Sequence, residues 1–242
     1  MRTGRIKFGF LTVVLAVVFL VWHDSELWSH LPPVGASAQT VLAWVLTIAT
    51  IVGALGVIVP RTARAGATLV GIVFVLYALT CVPGIVAAPT SYGSYVDFFE
   101  LLAIVAGAIA VVALATSKTA RAAALGRTAR ILMGVCTISF ALTQIDYLKE
   151  TAGQVPAWLP PSPMFWAILT TVAFGLAALA ILINRSARLA LRLMSIMIGL
   201  FGVAVWVPRV ITQPHTLFFW SEGAWTFVIA TAAWLVAEVS AS

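Results

Sequence analysis

The chain has 242 residues, 62% of them hydrophobic and 9% charged, with a mean hydropathy of +1.08. Soluble domains carry roughly 25% charged residues, so the composition excludes an ordinary water-soluble domain and, being so apolar, a disordered chain. The net charge of +6 would point to nucleic acid in a soluble protein, but here topology accounts for it and no nucleic-acid partner is expected.

A helix that spans a bilayer needs about 20 apolar residues, because the hydrocarbon core is ~30 Å thick. In chain order, the runs that meet this length are 6–22, 39–59, 67–84, 97–116, 131–148, 164–184, 191–208 and 223–240. None carries a charge in its middle third, and none alternates with the period of two that a transmembrane β-barrel requires. The first run follows Arg2, Arg5 and Lys7 as a signal peptide would, yet the small-residue triplet Ala36-Ser37-Ala38 lies too far downstream for cleavage. It is expected to be retained. The expected fold is all-α and integral to the membrane, with about eight transmembrane helices.

Lysine and arginine placement sets orientation. With the N-terminus cytoplasmic, the inner segments hold Arg2, Arg5, Lys7, Arg61, Arg64, Lys118, Arg121, Arg127, Arg130, Arg185, Arg188 and Arg192. The outer loops hold only Lys149 and Arg209. Acidic residues divide the other way: Asp24, Glu26, Asp97, Glu100, Asp146, Glu150 and Glu222 fall outside, and Glu238 inside. Both termini are therefore expected in the cytoplasm, and the chain in a bacterial cytoplasmic membrane. Trp22, Trp28, Trp158, Trp206, Trp220 and Trp225 are expected at the outer interface, where an indole keeps its N–H near water. Cys81 and Cys136 fall at opposite ends of their helices, beyond bridging distance, and read as small buried apolar residues.

The chain repeats at the offset that carries Arg61-Thr62-Ala63-Arg64 onto Arg185-Ser186-Ala187-Arg188. Ala49 and Gly53 then map onto Ala173 and Ala177, small pairs that let helices approach closely. Pro83 and Pro208 are expected to end the third and seventh helices, His30-Leu31-Pro32-Pro33 resembles Trp158-Leu159-Pro160-Pro161, Asp24 pairs with Asp146, and Glu100 with Glu222. These matches divide the chain into two four-helix units, residues 1–122 and 123–242. Each has an even number of helices, so both insert the same way round and their pseudo-axis is expected along the membrane normal. The basic tetrads at 61–64, 118–121, 127–130 and 185–188 are expected to anchor helix ends to lipid phosphates, through Arg61, Arg64, Arg121, Arg127, Arg130, Arg185 and Arg188.

From Arg130 the sequence runs through Gly134 in an apolar helix to Gln144-Ile145-Asp146-Tyr147, then a Val155-Pro156-Ala157-Trp158-Leu159-Pro160 loop. An apolar helix, Arg185-Ser186-Ala187-Arg188 and a helix reaching Val207-Pro208 follow. This stretch, to about Ile211, resembles the DoxX-like family of small bacterial membrane proteins, and the first half looks like a more diverged copy. The family often has His-Phe where this chain has Asp146-Tyr147, so no role of that histidine transfers. The resemblance implies a four-helix fold and an association, in some members, with quinone, thiosulfate or thiol redox systems.

Intramembrane haem needs axial histidines, whereas His23, His30 and His215 lie in or beside outer loops. The spacing of His23, Asp24, Glu26 and His30 matches no metal signature, so neither haem nor metal is expected. No run holds an ionisable residue at mid-membrane, the usual mark of ion-coupled transport. The candidate site is an outer rim of Asp24, Glu100, Asp146, Tyr147, Arg209, His215 and Glu222, able to bind a quinone headgroup or move its protons. The plainer account is that these residues end helices and face water, with Glu100 and Glu222 favoured by the helix dipole. Three functions stay open: an accessory or scaffolding component serving a redox-protein partner, a quinol-interacting oxidoreductase subunit, and a transporter of a small molecule or lipid.

Overall fold

The computed structural model describes residues 2–22, 36–117 and 119–240. Its helices are α1 (Arg2–Trp22), α2 (Ala36–Ile58), α3 (Ala63–Ala87), α4 (Gly93–Ala115) and α5 (Ala120–Asp146). The short α6 (Leu148–Gln154), then α7 (Pro163–Leu182), α8 (Ala187–Thr212) and α9 (Leu217–Val239) complete it. All but α6 are long and apolar enough to cross a bilayer, eight helices among the described residues. The chain is a multi-pass membrane protein.

In hydrocarbon each backbone polar group must find its partner within the protein, which the helix does internally. Several threonines inside these helices follow the same rule. Thr12, Thr47, Thr50 and Thr137 donate to the carbonyls of Phe8, Ala43, Leu46 and Met133, one turn back. The outer faces are apolar: Leu176 is 63% exposed and Leu200 61%. Surfaces of this kind are at home against lipid chains.

Consecutive helices pack side by side, α1 to α4 in one series and α5, α7, α8, α9 in the other. The series join through α4, which meets both α5 and α9, and through α9, which also meets α1. Close backbone approach marks two of these seams. A Cβ added to Gly107 of α4 would lie 2.6 Å from the Ala232 Cβ of α9, and one on Gly66 of α3 would lie 2.5 Å from the Gly53 carbonyl oxygen of α2. Gly53 thus contributes a real close packing. Arg5 donates to the Ile58 carbonyl at 3.3 Å, and Gly4 abuts Trp234, Leu235 and Glu238. The start of α1 and the end of α9 therefore share one end of the bundle with the α2–α3 turn. Arg61, Arg64 and Arg185 are exposed at that end, here the arginine end, and α6 lies at the opposite end.

Several local expectations are corrected. Pro83 sits inside α3 and Pro208 inside α8, each followed by another turn of helix. At Pro208 the reason is visible. A proline offers no N–H to the carbonyl four residues back, and α8 widens to a π turn at Gly202–Trp206, where the Val207 N–H reaches the Gly202 carbonyl. That shift of register lets the helix pass the ring. Helix α5 starts well before residue 131, at Ala120, so Arg121, Arg127 and Arg130 are helical. The alanine-rich start propagates helix readily, and Thr119 caps it by accepting from the Ala122 N–H. Arg130 is half-buried and donates to the Ile181 and Leu182 carbonyls at the end of α7, so it fastens two helices together. Trp225 is 8% exposed, its ring centroid 6.0 Å from Phe74 and 6.2 Å from Phe19. It is a core residue, as is Trp206 at 6% exposed. Trp158 is 76% exposed. Cys81 and Cys136 are buried and unbridged.

Candidate functional site

A cavity of about 540 Å³ opens at the α6 end of the bundle, enclosed by α4, α5, α7, α8, α9 and the segment from α6 to Leu159. Each wall supplies a distinct chemistry. From α4 come Gly93, Val96 and Glu100, and from α9 come Glu222, Thr226 and Ile229. Neither helix has an acidic residue in its first turn. Glu100 and Glu222 therefore sit deeper than a dipole-stabilised cap, and the helix-dipole account of them does not hold. Both are half-buried.

Helix α5 contributes Phe140, Thr143 and Gln144, Tyr147 follows at its C-cap, and α7 contributes Trp166, Thr170 and Phe174. These two walls are tied together: Gln144 Oε1 lies 3.2 Å from the Thr170 hydroxyl and 3.0 Å from that of Thr171. Ser162 caps the start of α7 by accepting from the Phe165 N–H. Trp166 is held by its indole N–H, which donates to the Pro160 carbonyl at 2.8 Å. The Tyr147 hydroxyl lies against Gly93, where an added Cβ would come within 2.5 Å of it. Phe140 and Phe174 meet edge to face at 5.8 Å, and Phe174 meets Phe201 of α8 at 6.4 Å. The π turn places Ala204, Val205 and Trp206 on the last wall. Such widened turns occur often at functional sites.

Of the expected rim, the structure brings Glu100, Tyr147 and Glu222 to this cavity. Asp146 is exposed and off the wall, and His215 is exposed in the α8–α9 connection. Arg209 stacks on Trp206 at 5.2 Å and on Phe219 at 5.8 Å without reaching the lining. Asp24, with His23, Glu26, Trp28 and His30, lies outside the described residues, as do Leu31-Pro32-Pro33 and Lys118. Among the described residues no three His, Cys, Asp or Glu side chains converge as a metal site.

The sequence reading missed Glu150, Trp166, Thr170 and Thr226 on the wall. The available signal was polar residues recurring inside otherwise apolar runs, which the assignment of spans passed over. The described lining holds three glutamates and no Lys, Arg or His. Chemically, it offers carboxylate, amide and hydroxyl groups beside aromatic faces.

Fold and cavity together define a multi-pass α-helical membrane protein with a chamber at one end. No family model, curated protein or solved structure matches the chain.

Proposed function

We propose that the chain is a small-molecule-binding protein of a bacterial cytoplasmic membrane, DoxX-like in sequence, whose cavity takes an amphipathic ligand. One observation carries this: Glu100 and Glu222, from the last helix of each half, line the same aromatic-walled cavity. Cavities of 300–1,000 Å³ with mostly apolar walls and a few polar groups are the usual small-molecule sites. A ligand held between helices suits a transporter or a ligand-dependent accessory protein better than a pure scaffold.

The same reading includes two four-helix units, 1–122 and 123–242, with cytoplasmic termini. The matching order of helix neighbours in each series and the pairing of α4 with α9 support the units. The basic residues gathered at the arginine end support the orientation.

A second reading, service to a redox assembly with a quinone in the cavity, is favoured by Gln144, Tyr147 and the two glutamates together. They supply hydrogen-bond and proton partners for a headgroup's oxygens.

The test is purification of the full chain from native membranes in mild detergent, followed by native mass spectrometry. The expected result is a retained small molecule that the cavity-filling variant Thr226→Trp lacks. An empty protein, or the same bound species in both variants, overturns the proposal. A retained quinone, or a redox enzyme in stoichiometric amount, selects the second reading.

A further inference from the structure

We infer that Arg188 and Arg192 of α8 form a binding site for the phosphate of an anionic phospholipid, at the arginine end of the bundle beside α9. The site is separate from the cavity and does not rest on it.

The arginines of this end differ in what holds them. Arg61, Arg64 and Arg185 are exposed, so they offer charge without fixed geometry. Arg5 and Arg130 donate to backbone carbonyls. Arg188 and Arg192 do neither. Both are half-buried, and their Nε atoms are buried without a hydrogen-bond partner. Their terminal Nη groups are not enclosed in this way, and among the described residues no carboxylate pairs with them. An unsatisfied buried polar group in a native fold calls for an explanation, and an ion or ligand beside it is one. A buried stem also fixes the guanidinium, so a ligand meets a preformed fork and loses less entropy on binding.

Helix geometry aims the pair. Four residues apart, the two arginines share a face of α8, and helical side chains lean toward the N-terminus, here toward the membrane surface. Arg192 is held by Trp234 of α9, whose ring centroid lies 5.5 Å from its Cζ. The Trp234 indole N–H in turn donates to Glu238 Oε1 at 3.2 Å. Glu238 is the one acidic residue on this last stretch of α9, so the two arginines outnumber it. No acidic residue occupies the first turn of α8, and Ser186 makes no side-chain cap there, so the helix dipole adds positive charge at the same place.

The neighbouring surface favours a lipid over free phosphate. Leu189, Leu193 and Ile196 are each more than half exposed and run along α8 from the arginines into the membrane. An acyl chain on that stripe places its phosphate on the guanidinium pair, whose planar forks match phosphate oxygens. A zwitterionic headgroup would bring its own cation against two arginines. Basic pockets between helices at headgroup depth bind anionic lipids in this manner.

The experiment follows thermal unfolding of the full chain in detergent while dioleoylphosphatidylglycerol, dioleoylphosphatidylcholine or inorganic phosphate is added. Phosphatidylglycerol should raise the midpoint saturably, at a concentration about tenfold lower than phosphatidylcholine requires, and millimolar inorganic phosphate should have no effect. The double substitution Arg188→Gln with Arg192→Gln should raise that concentration about tenfold or more. Arg64→Gln with Arg185→Gln, the same change of charge at exposed positions, should leave it unchanged. If the first double variant fails to fold, Arg188→Gln alone carries the comparison and should weaken phosphatidylglycerol selectively. Equal action of the two lipids, equal losses in the two double variants, an indifferent Arg188→Gln, or saturation by inorganic phosphate overturns the assignment. A phospholipid that stays on Thr226→Trp and leaves the Arg188 and Arg192 variant belongs to this site and not to the cavity.

Discussion

Gly107 of α4 and Ala232 of α9 touch so closely that a Cβ on the glycine would lie 2.6 Å from the Ala232 Cβ and 2.9 Å from its Cα. This is one of the contacts that join the two series of helices, and the cavity glutamates stand on the same two helices. Without a hydrophobic drive between helices in lipid, such close approach is what packing energy depends on.

Gly107→Leu should therefore destabilise the bundle as a whole. Overpacking of a tight seam costs about 1–3 kcal/mol, read as a lower midpoint in thermal or SDS unfolding. The neighbouring Gly71→Ala is the control, since a Cβ there meets only the Ala108 Cβ at an ordinary 3.6 Å. Equal midpoints for both variants would refute the central role of the α4–α9 contact.

Arg130 and Arg127 look alike in sequence and differ in the fold. Arg130 donates to the Ile181 and Leu182 carbonyls, while Arg127 is exposed. Hydrogen bonds from a charged donor contribute about 1.5–3 kcal/mol, and exposed substitutions away from special features stay within about 0.5 kcal/mol. Arg130→Ala should lower the unfolding midpoint clearly and Arg127→Ala hardly at all. The reverse order would return Arg130 to a lipid-anchoring role.

Ser195 is buried, and its hydroxyl donates across the α8–α9 interface to the Ala230 carbonyl at 2.6 Å. Interhelical hydrogen bonds in membrane proteins average about 0.6 kcal/mol. Ser195→Ala should cost about that much, a small but measurable shift in an SDS titration. A loss several times larger would mean that the serine does more than bridge two helices.

Orientation is open to chemical labelling. Cys81 and Cys136 are buried and should leave a quiet background. A membrane-impermeant maleimide applied to intact spheroplasts should modify Ala157→Cys, on the exposed loop after α6, and spare Ser186→Cys at the arginine end. Ser186→Cys should react once the membrane is opened. The opposite pattern would invert the topology.

Length and hydropathy alone identify the spans, because burial in lipid demands an uninterrupted apolar helix and little else satisfies it. All eight runs overlap helices in the structure. Helix ends were less legible. Prolines that read as stops at Pro83 and Pro208 lie inside helices; at Pro208 the helix shifts its hydrogen-bond register through the π turn at Gly202–Trp206.

Of the site, the sequence marked Glu100, Tyr147 and Glu222 as polar residues at one side of the membrane. It could not show that they share a cavity, nor that Trp166 and Thr170 of α7 close its wall. Those residues are brought together only by how six segments pack, and packing angles depend on side-chain fit across seams such as Gly107–Ala232. Spans and charge asymmetry are properties of local composition, whereas the cavity is a property of helices meeting, which no single stretch of the chain encodes.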